Sequence, residues 1–294
     1  MKIVRGLLCW ILFLSIGYSL VHFCRRETGK FILTAITTYA SQDPVIPASP
    51  PSSEEELSRA LDQEYSYLGC GGQAYVFSSA NGEFVIKLLK KRRYRIPGYL
   101  YYIPFIQEYR AAKEKKYLQR LKREFSSYRI AFESFSRECA LLYLHLDKSS
   151  HLNLSLTLID KLQIKHQIDL DSTYFILQRK AQPPYLAISE LMSKSKIEES
   201  QRILTLLIDL ILLRYQRGYS DGDPNIEKNC GVLKDRVIKM DIGRFAPHSE
   251  EKLQICLKVE LYSIMRPLQH WIRQNHPELL PYLDAQLMKI IVSS

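Results

Sequence analysis

The pattern of apolar and polar residues begins with an apolar segment at the start of the chain. Roughly nineteen mostly apolar residues lie between Arg5 and Arg25, and a run of this length can cross a bilayer. A cleaved signal peptide has a shorter apolar core that ends on small residues, whereas this run ends on VHFCRR. The pattern therefore predicts an uncleaved signal anchor over residues 1–30 and a single-pass membrane protein. Secretion after cleavage is the alternative, and basic residues at both ends of the run leave its orientation open.

Residues 31–60 have a different composition, because they include the proline- and serine-rich stretch SQDPVIPASPPSSEEELS. Such a stretch lacks the apolar residues that a folded core requires. The sequence therefore predicts a linker between the anchor and a folded part.

From residue 61 onwards the pattern is typical of short strands. YVF and FVI are rich in β-branched and aromatic residues, and they flank SANGE, which indicates a hairpin turn. HLNLSLTLIDKL and STYFILQRKA predict two further strands, while residues 99–146 follow a helical pattern with few breakers. Residues 61–182 are thus predicted to form a strand-rich lobe that contains a helical insertion at about 88–130.

Helical patterns dominate the rest of the chain, residues 183–294. Pro183 and Pro184 interrupt the preceding strands, and residues 197–216 predict a buried helix that ends at Gly218. CGVL and RVIKMDI predict two short strands, and residues 248–291 are again helical. This part is therefore predicted to be a second, mainly helical lobe.

Charge is concentrated in the predicted insertion. The 294-residue chain has a net charge of +10, and residues 87–129 alone hold fourteen Lys and Arg against three Glu. A solvated helix face would explain such a run, and so would attraction to an acidic acceptor or an anionic lipid. Nucleic acid is the less favoured partner.

The six cysteines include no CxxC pair, which argues against a zinc site and a disulfide scaffold.

Glycines lie between the first two predicted strands, at Gly69, Gly71 and Gly72. Glycine lets a hairpin approach phosphates closely, with backbone N–H groups facing them. Lys87 ends the following strand FVIK, and a lysine on an otherwise buried strand behind such a hairpin is a candidate phosphate ligand. An ordinary glycine turn and a solvated strand-end lysine are the alternatives.

A phosphate-binding lysine is usually held by a carboxylate. Glu138, in FSRECALLYLHL, is predicted to lie on an amphipathic helix and is the candidate partner of Lys87. Glu133 is its rival, and either residue could instead be a surface glutamate.

The segment GYSDGDPNIEKNCGVLKDRVIKMDIGRF gathers carboxylates and amides within a basic chain. Asp223 follows the buried helix, Asn229 precedes CGVL, and Asp241 ends the strand VIKM with Gly243 behind it. The short hairpin between them should bring Asn229 and Asp241 together, and their oxygens are hard ligands suited to Mg²⁺ held by phosphates. Asp223 is then left to orient or deprotonate an attacking hydroxyl. A polar loop without chemistry is the alternative.

The order of these elements resembles the protein-kinase-like phosphotransferase fold, in particular small atypical members such as lipopolysaccharide-core kinases and pseudokinases. LGCGGQAYVF resembles the glycine-rich loop, VIK the strand lysine, RECALLYLHL the helix with its glutamate, and YFILQRKA the strand before the adenine-binding hinge. GYSDGDPNIEKN resembles the catalytic loop, and MDIGRF the magnesium-binding Asp-Phe-Gly turn. The resemblance covers about residues 68–245. It implies an α+β, bilobal kinase-like fold with a strand-rich N-lobe, a helical insertion and a short helical C-lobe, preceded by a transmembrane helix.

The resemblance also implies ATP and Mg²⁺ as cofactors and a role for each matching residue. The implied roles are phosphate cover for Gly69, Gly71 and Gly72, adenine contact for Val76, phosphate binding for Lys87 paired with Glu138, base for Asp223, and magnesium ligands for Asn229 and Asp241. The implied function is that of a membrane-anchored phosphotransferase acting on a hydroxyl of an unknown acceptor, which could be a lipid, a sugar or a protein.

Several features depart from the family pattern. Asp221-Gly222-Asp223 stands where His-Arg-Asp is usual, so the arginine is missing and Asp221 competes with Asp223 as the base. The loop to Asn229 is one residue longer than the common spacing, and no Ala-Pro-Glu follows DIGRFAP. A catalytically weak pseudokinase, serving as a membrane-tethered binding or scaffold module, is therefore the alternative. A third interpretation is a membrane-surface or nucleic-acid-binding protein that uses the basic insertion.

Overall fold

The computed structural model of the protein describes most of the chain, namely residues 2–36, 54–93, 95–248 and 253–293. Among these residues, seven strands and three α-helices precede residue 180, and helices form most of the regular structure after it. The predicted α+β class is therefore confirmed.

The chain divides into two compact units. The first consists of residues 1–119 and 143–177, and the second of residues 120–142 and 178–294. Residues 120–142 thus belong to the unit that contains residues 178–294.

A seven-stranded sheet forms the first unit, with its strands in the order β4-β7-β3-β2-β1-β5-β6. The boundaries of the two units fall inside α3, β4 and β7. The elements up to that point of the chain are α1 (Lys2–Glu27), α2 (Glu54–Leu61), β1 (Tyr65–Cys70), β2 (Ala74–Ser79), β3 (Phe84–Leu89), α3 (Gln107–Phe135), β4 (Leu141–His145), β5 (Ser155–Ile159), β6 (Lys165–Asp169) and β7 (Phe175–Arg179).

The first three strands form an antiparallel meander, as the sequence predicts. The turn between β2 and β3 contains Gly82 at φ 72°, a left-handed conformation that glycine adopts without strain. Phe77, Phe84 and Ile86 are fully buried, so aromatic and β-branched side chains supply the apolar face of the sheet.

Long helices dominate the second unit. Its core contains Leu204 and Ile208 from one helix and Leu268 and Leu283 from two others. Two short antiparallel pairs, β9 with β10 and β8 with β11, complete it. Its further elements are α4 (Pro184–Met192), α5 (Ile197–Gln216), β8 (Tyr219–Asp221), α6 (Ile226–Asn229), β9 (Cys230–Leu233), β10 (Arg236–Lys239), β11 (Phe245–Pro247), α7 (Leu253–Asn275) and α8 (Leu280–Ser293).

The helix that the sequence predicts over residues 99–146 is shorter in the structure. It begins at Gln107 and ends at Phe135, and residues 141–145 form β4 instead. Ala140 adopts φ 47°, which is incompatible with a continuing helix. The apolar run LLYLH is buried at every position, and a short run of this kind fits a helix and a strand equally well.

The N-terminal helix α1 does not meet the requirements of a membrane-spanning segment. Among the residues that the structure describes, no helix combines enough length with enough apolar character to cross a bilayer. Ser15, Tyr18, Ser19 and His22 interrupt the apolar residues of α1, so its uninterrupted apolar run is shorter than the ~20 residues of a span. The predicted anchor over residues 1–30 is therefore wrong, and so is the membrane localisation based on it.

Much of the predicted linker 31–60 lies outside the described residues. At one of its described ends, the ring of Phe31 is buried 5.2 Å from that of Tyr75 and 5.1 Å from that of Phe77. At the other end, α2 buries Ala60 and Leu61. Both described ends therefore pack onto the first unit, which the linker interpretation does not anticipate.

Candidate functional site

The turn between β1 and β2 carries the three glycines that are predicted to cover phosphates. The N–H of Gly71 donates to the carbonyl of Ala74 at 3.0 Å and closes the turn. A β-carbon added at Gly69 or Gly72 would meet no atom within 4 Å, and none of the three glycines has a positive φ. The fold of the turn alone therefore does not explain why glycine stands at these positions.

Val76 and Lys87 lie directly opposite each other on β2 and β3. Opposed residues of an antiparallel pair project from the same face of the sheet. Both side chains are partly accessible, whereas the other residues of β3 are buried. The structure thus brings two predicted nucleotide-binding residues onto one face.

A second lysine, Lys90, supports the glycine turn. It is only 1% exposed, and its ammonium group donates to the carbonyl of Gly71 and to the sulfur of Cys70, the latter at 2.8 Å. The same group lies 4.7 Å from the centre of the Tyr75 ring, where it interacts favourably with the π-face. The sequence does not reveal this role, because Lys90 begins the run KKRR, which is typical of solvated charge.

In the second unit, hydrogen bonds hold Asp223, Asn229 and Asp241 together. The carbonyl of Asn229 accepts from the N–H groups of Met240 at 2.7 Å and Asp241 at 3.4 Å. The side-chain amide of Asn229 donates to the carbonyl of Asp223 at 2.9 Å. One carboxylate oxygen of Asp241 accepts from the N–H of Gly243 at 3.1 Å. Asp241 is therefore hydrogen-bonded to the end of the predicted catalytic loop, at Asn229.

A buried ion pair lies next to this group. Lys239 Nζ is 2.5 Å from Asp221 Oδ2, and the two side chains are 7% and 6% exposed. The same ammonium group donates to the carbonyl of Asp223 at 2.8 Å, and Asp221 Oδ1 accepts from the N–H of Asp223 at 2.9 Å. Both carboxylate oxygens of Asp221 are thus engaged, whereas the carboxylate of Asp223 accepts no hydrogen bond from the described residues.

The turn that follows Asp241 is attached to α3 through one hydroxyl group. Ser127 Oγ donates to the carbonyl of Ile242 at 2.6 Å and accepts from the N–H of Phe245 at 2.6 Å. Ser127 is fully buried, so water does not compete for these hydrogen bonds. This contact fixes both sides of Gly243.

A small cavity beside the ion pair is lined by Glu138, Arg214, Asp221, Cys230 and Lys239 together with apolar side chains. Burial raises the pKa of the Cys230 thiol to about 11, although the nearby Lys239 ammonium lowers it in part. Burial thus disfavours the thiolate of Cys230, which is the reactive form of a cysteine.

The two glutamates proposed as partners of Lys87 have other contacts. Glu138 lies in the turn beyond the end of α3 rather than on a helix, and its carboxylate is 3.0 Å from Arg217. Glu133 is exposed on α3 and lies 3.8 Å from Arg129. Each of these contacts satisfies the glutamate within the second unit.

A third glutamate on α3 is buried. Glu124 is 1% exposed and lies on the same face of the helix as the buried residues Leu121, Phe125 and Tyr128. A carboxylate is almost never buried without a partner. The helical spacing of the apolar positions around it is the sequence signal that would have found Glu124.

Among the residues that the structure describes, no three His, Cys, Asp or Glu side chains are grouped closely enough to hold a metal ion. The predicted pair of Asn229 and Asp241 supplies one amide and one carboxylate oxygen. Mg²⁺ prefers six oxygen ligands and commonly takes most of them from water and phosphate. These two residues therefore fit a magnesium ion that is shared with a nucleotide.

Neither a protein-family model nor a curated protein sequence matches the chain. Its structural neighbours include a 2.2 Å crystal structure of WbdD, with 12% identity, 74% of this chain and 44% of that chain covered, and a TM-score of 0.38. A second is described as the bifunctional kinase-methyltransferase WbdD, with 11% identity, 74% and 43% covered, and a TM-score of 0.35. A third is WbdD with the kinase inhibitor LY294002, with 13% identity, 76% and 45% covered, and a TM-score of 0.34. The chain spans less than half of these structures, and such TM-scores do not establish a shared fold.

Proposed function

We propose that the protein is an ATP- and Mg²⁺-dependent phosphotransferase that transfers a phosphoryl group to a hydroxyl of its acceptor. The observation that carries this proposal is the hydrogen-bonded group of Asp223, Asn229 and Asp241. The side chains of Asn229 and Asp241 offer one hard oxygen ligand each, and the carboxylate of Asp223 accepts no hydrogen bond from the described residues. Phosphoryl transfer requires little more from a protein than this positioning and charge neutralisation.

The proposal assigns a role to each of these residues. Asn229 and Asp241 would bind Mg²⁺, which supplies charge neutralisation at the phosphates. Asp223 would accept the proton of the attacking hydroxyl. Asp221 would position Asp223, because its own carboxylate is engaged by Lys239 and by the N–H of Asp223.

Within the first unit, the glycine turn and its neighbouring strands would bind the phosphates and adenine of a nucleotide. Gly69, Gly71 and Gly72 would cover the phosphates, Lys87 would bind them, and Val76 would contact the adenine. This assignment is supported by the face that Val76 and Lys87 share and by the absence of any structural need for glycine in the turn.

The acceptor in this proposal carries negative charge. The exposed residues of α3 include Lys115, Lys116, Lys122 and Arg123, and such a surface attracts anions over a distance of about 8 Å at physiological salt.

A decisive experiment is to incubate the purified chain with Mg-ATP and to follow phosphate release, autophosphorylation and nucleotide binding. Binding of Mg-ATP without any turnover would favour the alternative, a pseudokinase that serves as a binding or scaffold module.

Replacing Gly72 by alanine is expected to weaken ATP binding without loss of stability. The added methyl group meets no protein atom, and a compatible glycine-to-alanine change stabilises a fold by ~0.4–1 kcal/mol. The methyl group would instead occupy space needed by the phosphates, so the dissociation constant should rise about tenfold, equivalent to ~1.4 kcal/mol. Titration calorimetry and urea unfolding measure the two effects.

Gly82→Ala provides the matched control for this change. Gly82 lies in the neighbouring turn of the same sheet at φ 72°, where alanine costs ~1–2 kcal/mol. We therefore expect it to lower stability and to leave ATP binding unchanged. If Gly72→Ala binds ATP as tightly as the wild type does, the glycine turn does not cover phosphates.

A further inference from the structure

A strongly basic cavity lies where the end of α1 meets the turn between β1 and β2, within the first unit. Its volume is about 590 Å³, and its lining residues are His22, Arg25, Arg26, Gly29, Lys30 and Cys70. Ligand-binding cavities typically measure ~300–1,000 Å³. The cavity is therefore large enough for a small molecule.

Specific contacts hold the end of α1 in place and form this cavity. The hydroxyl of Tyr67 donates to the carbonyl of Gly29 at 2.6 Å, and the hydroxyl of Tyr75 donates to the carbonyl of Lys30 at 2.9 Å. Burial is the main reason that the pKa of Tyr67 rises to about 12, so this donor keeps its proton at physiological pH. Lys161 caps the helix by donating to the carbonyl of Arg26 at 3.0 Å.

Gly29 makes this close docking possible. It adopts φ 60°, and a β-carbon added there would lie 2.6 Å from the ring of Tyr67. Any other residue at position 29 would therefore separate the helix end from the sheet. Gly29 and the two tyrosine hydrogen bonds thus hold the end of α1 against the sheet, and this contact forms the wall of the cavity.

The charges of the cavity are unbalanced. Four of its six lining residues are basic, namely His22, Arg25, Arg26 and Lys30, and none of the six is acidic. No carboxylate among the described residues forms an ion pair with any of the four. Basic groups that converge on one cavity repel each other unless an anion binds between them.

We propose that this cavity binds a phosphate-bearing ligand with at least two negative charges. Arginine pairs with phosphate oxygens through two parallel hydrogen bonds, and the neighbouring lysine and histidine add further donors. The proposal does not rest on the phosphotransferase function, because its four basic residues lie between His22 and Lys30, although Cys70 belongs to the glycine turn that is proposed to cover the phosphates of ATP. A soluble phosphate compound and a phospholipid headgroup share this chemistry.

Thiol protection provides a direct test, because Cys70 lines the cavity and is exposed. The full chain with Cys24→Ser and Cys256→Ser retains Cys9, which is also exposed on α1, as an internal control. Cys9 precedes His22 by thirteen residues, or about 20 Å along a helix. Inorganic tripolyphosphate should slow the labelling of Cys70 by iodoacetamide at least tenfold and should leave the labelling of Cys9 unchanged.

Variants separate this cavity from the proposed nucleotide site. The combined change Arg25→Gln, Arg26→Gln and Lys30→Gln should abolish the protection of Cys70 by tripolyphosphate, whereas Gly72→Ala should preserve it. Vesicles of phosphatidylcholine with and without phosphatidic acid form the second arm, and protection by phosphatidic acid alone would identify a headgroup as the source of the phosphate. Equal labelling of Cys70 with and without both probes, or protection that survives the triple change, would overturn the proposal.

Discussion

Replacing Lys239 by methionine is expected to destabilise the second unit by about 3–5 kcal/mol, because it leaves the carboxylate of Asp221 buried without a counter-ion. The two side chains are 7% and 6% exposed, and Lys239 Nζ lies 2.5 Å from Asp221 Oδ2. Methionine fills a similar volume, so the loss arises from charge rather than from packing. Urea unfolding followed by circular dichroism should show the midpoint of the second unit at a lower urea concentration.

An exposed ion pair supplies the control for this change. Lys196 Nζ lies 2.7 Å from Glu199 Oε1, but both side chains are about half exposed, and such pairs contribute only ~0–1 kcal/mol. Lys196→Met should therefore leave the midpoint nearly unchanged. Removing both charges in Asp221→Asn with Lys239→Met should recover much of the lost stability. Equal midpoints for Lys239→Met and Lys196→Met would show that the buried pair does not stabilise the fold.

Replacing Asp241 by asparagine is expected to reduce phosphoryl transfer by ~10²–10³ or more, if the proposed function is correct. The change preserves the size of the side chain and removes the one charged oxygen ligand of the proposed magnesium site. It should also abolish the part of the ATP affinity that depends on Mg²⁺. Steady-state turnover, together with ATP titrations in the presence of magnesium and of a chelator, measures both effects.

Asp235 offers a matched position for the same substitution. It is exposed in the turn of the β9–β10 hairpin that connects Asn229 to Asp241, so Asp235→Asn tests whether any loss of charge in this hairpin matters. Its turnover and ATP affinity should match the wild type. Full turnover in Asp241→Asn would refute the metal assignment, and inactivity of wild type and variant alike, with intact ATP binding, would point to the pseudokinase alternative.

Local patterns were sufficient to predict several elements. The runs YVF and FVI on either side of SANGE predict β2 and β3, and the apolar residues of 197–216 predict α5. The hairpin between Asn229 and Asp241 is likewise a local feature, which is why its two ends could be placed together in advance. The roles of these two residues stay predictions.

Features that depend on tertiary packing were not predictable in the same way. Lys90 and Lys239 carry charges, which favour solvent, yet both are buried. A charged side chain is buried only when partners from distant segments meet it, and these partners cannot be read from neighbouring residues. VIK occurs at both Lys87 and Lys239, but only the second of these lysines belongs to the buried class.

The hydroxyl of Ser127 fixes the position of α3 relative to the turn after Asp241. It contacts Ile242 on one side of Gly243 and Phe245 on the other, both at 2.6 Å. A slide of α3 by the rise of a single residue, about 1.5 Å, would take the hydroxyl out of hydrogen-bonding range of at least one of them. A movement of α3 along its axis is therefore coupled to a movement of the turn after Asp241, because neither can shift without breaking a hydrogen bond of Ser127.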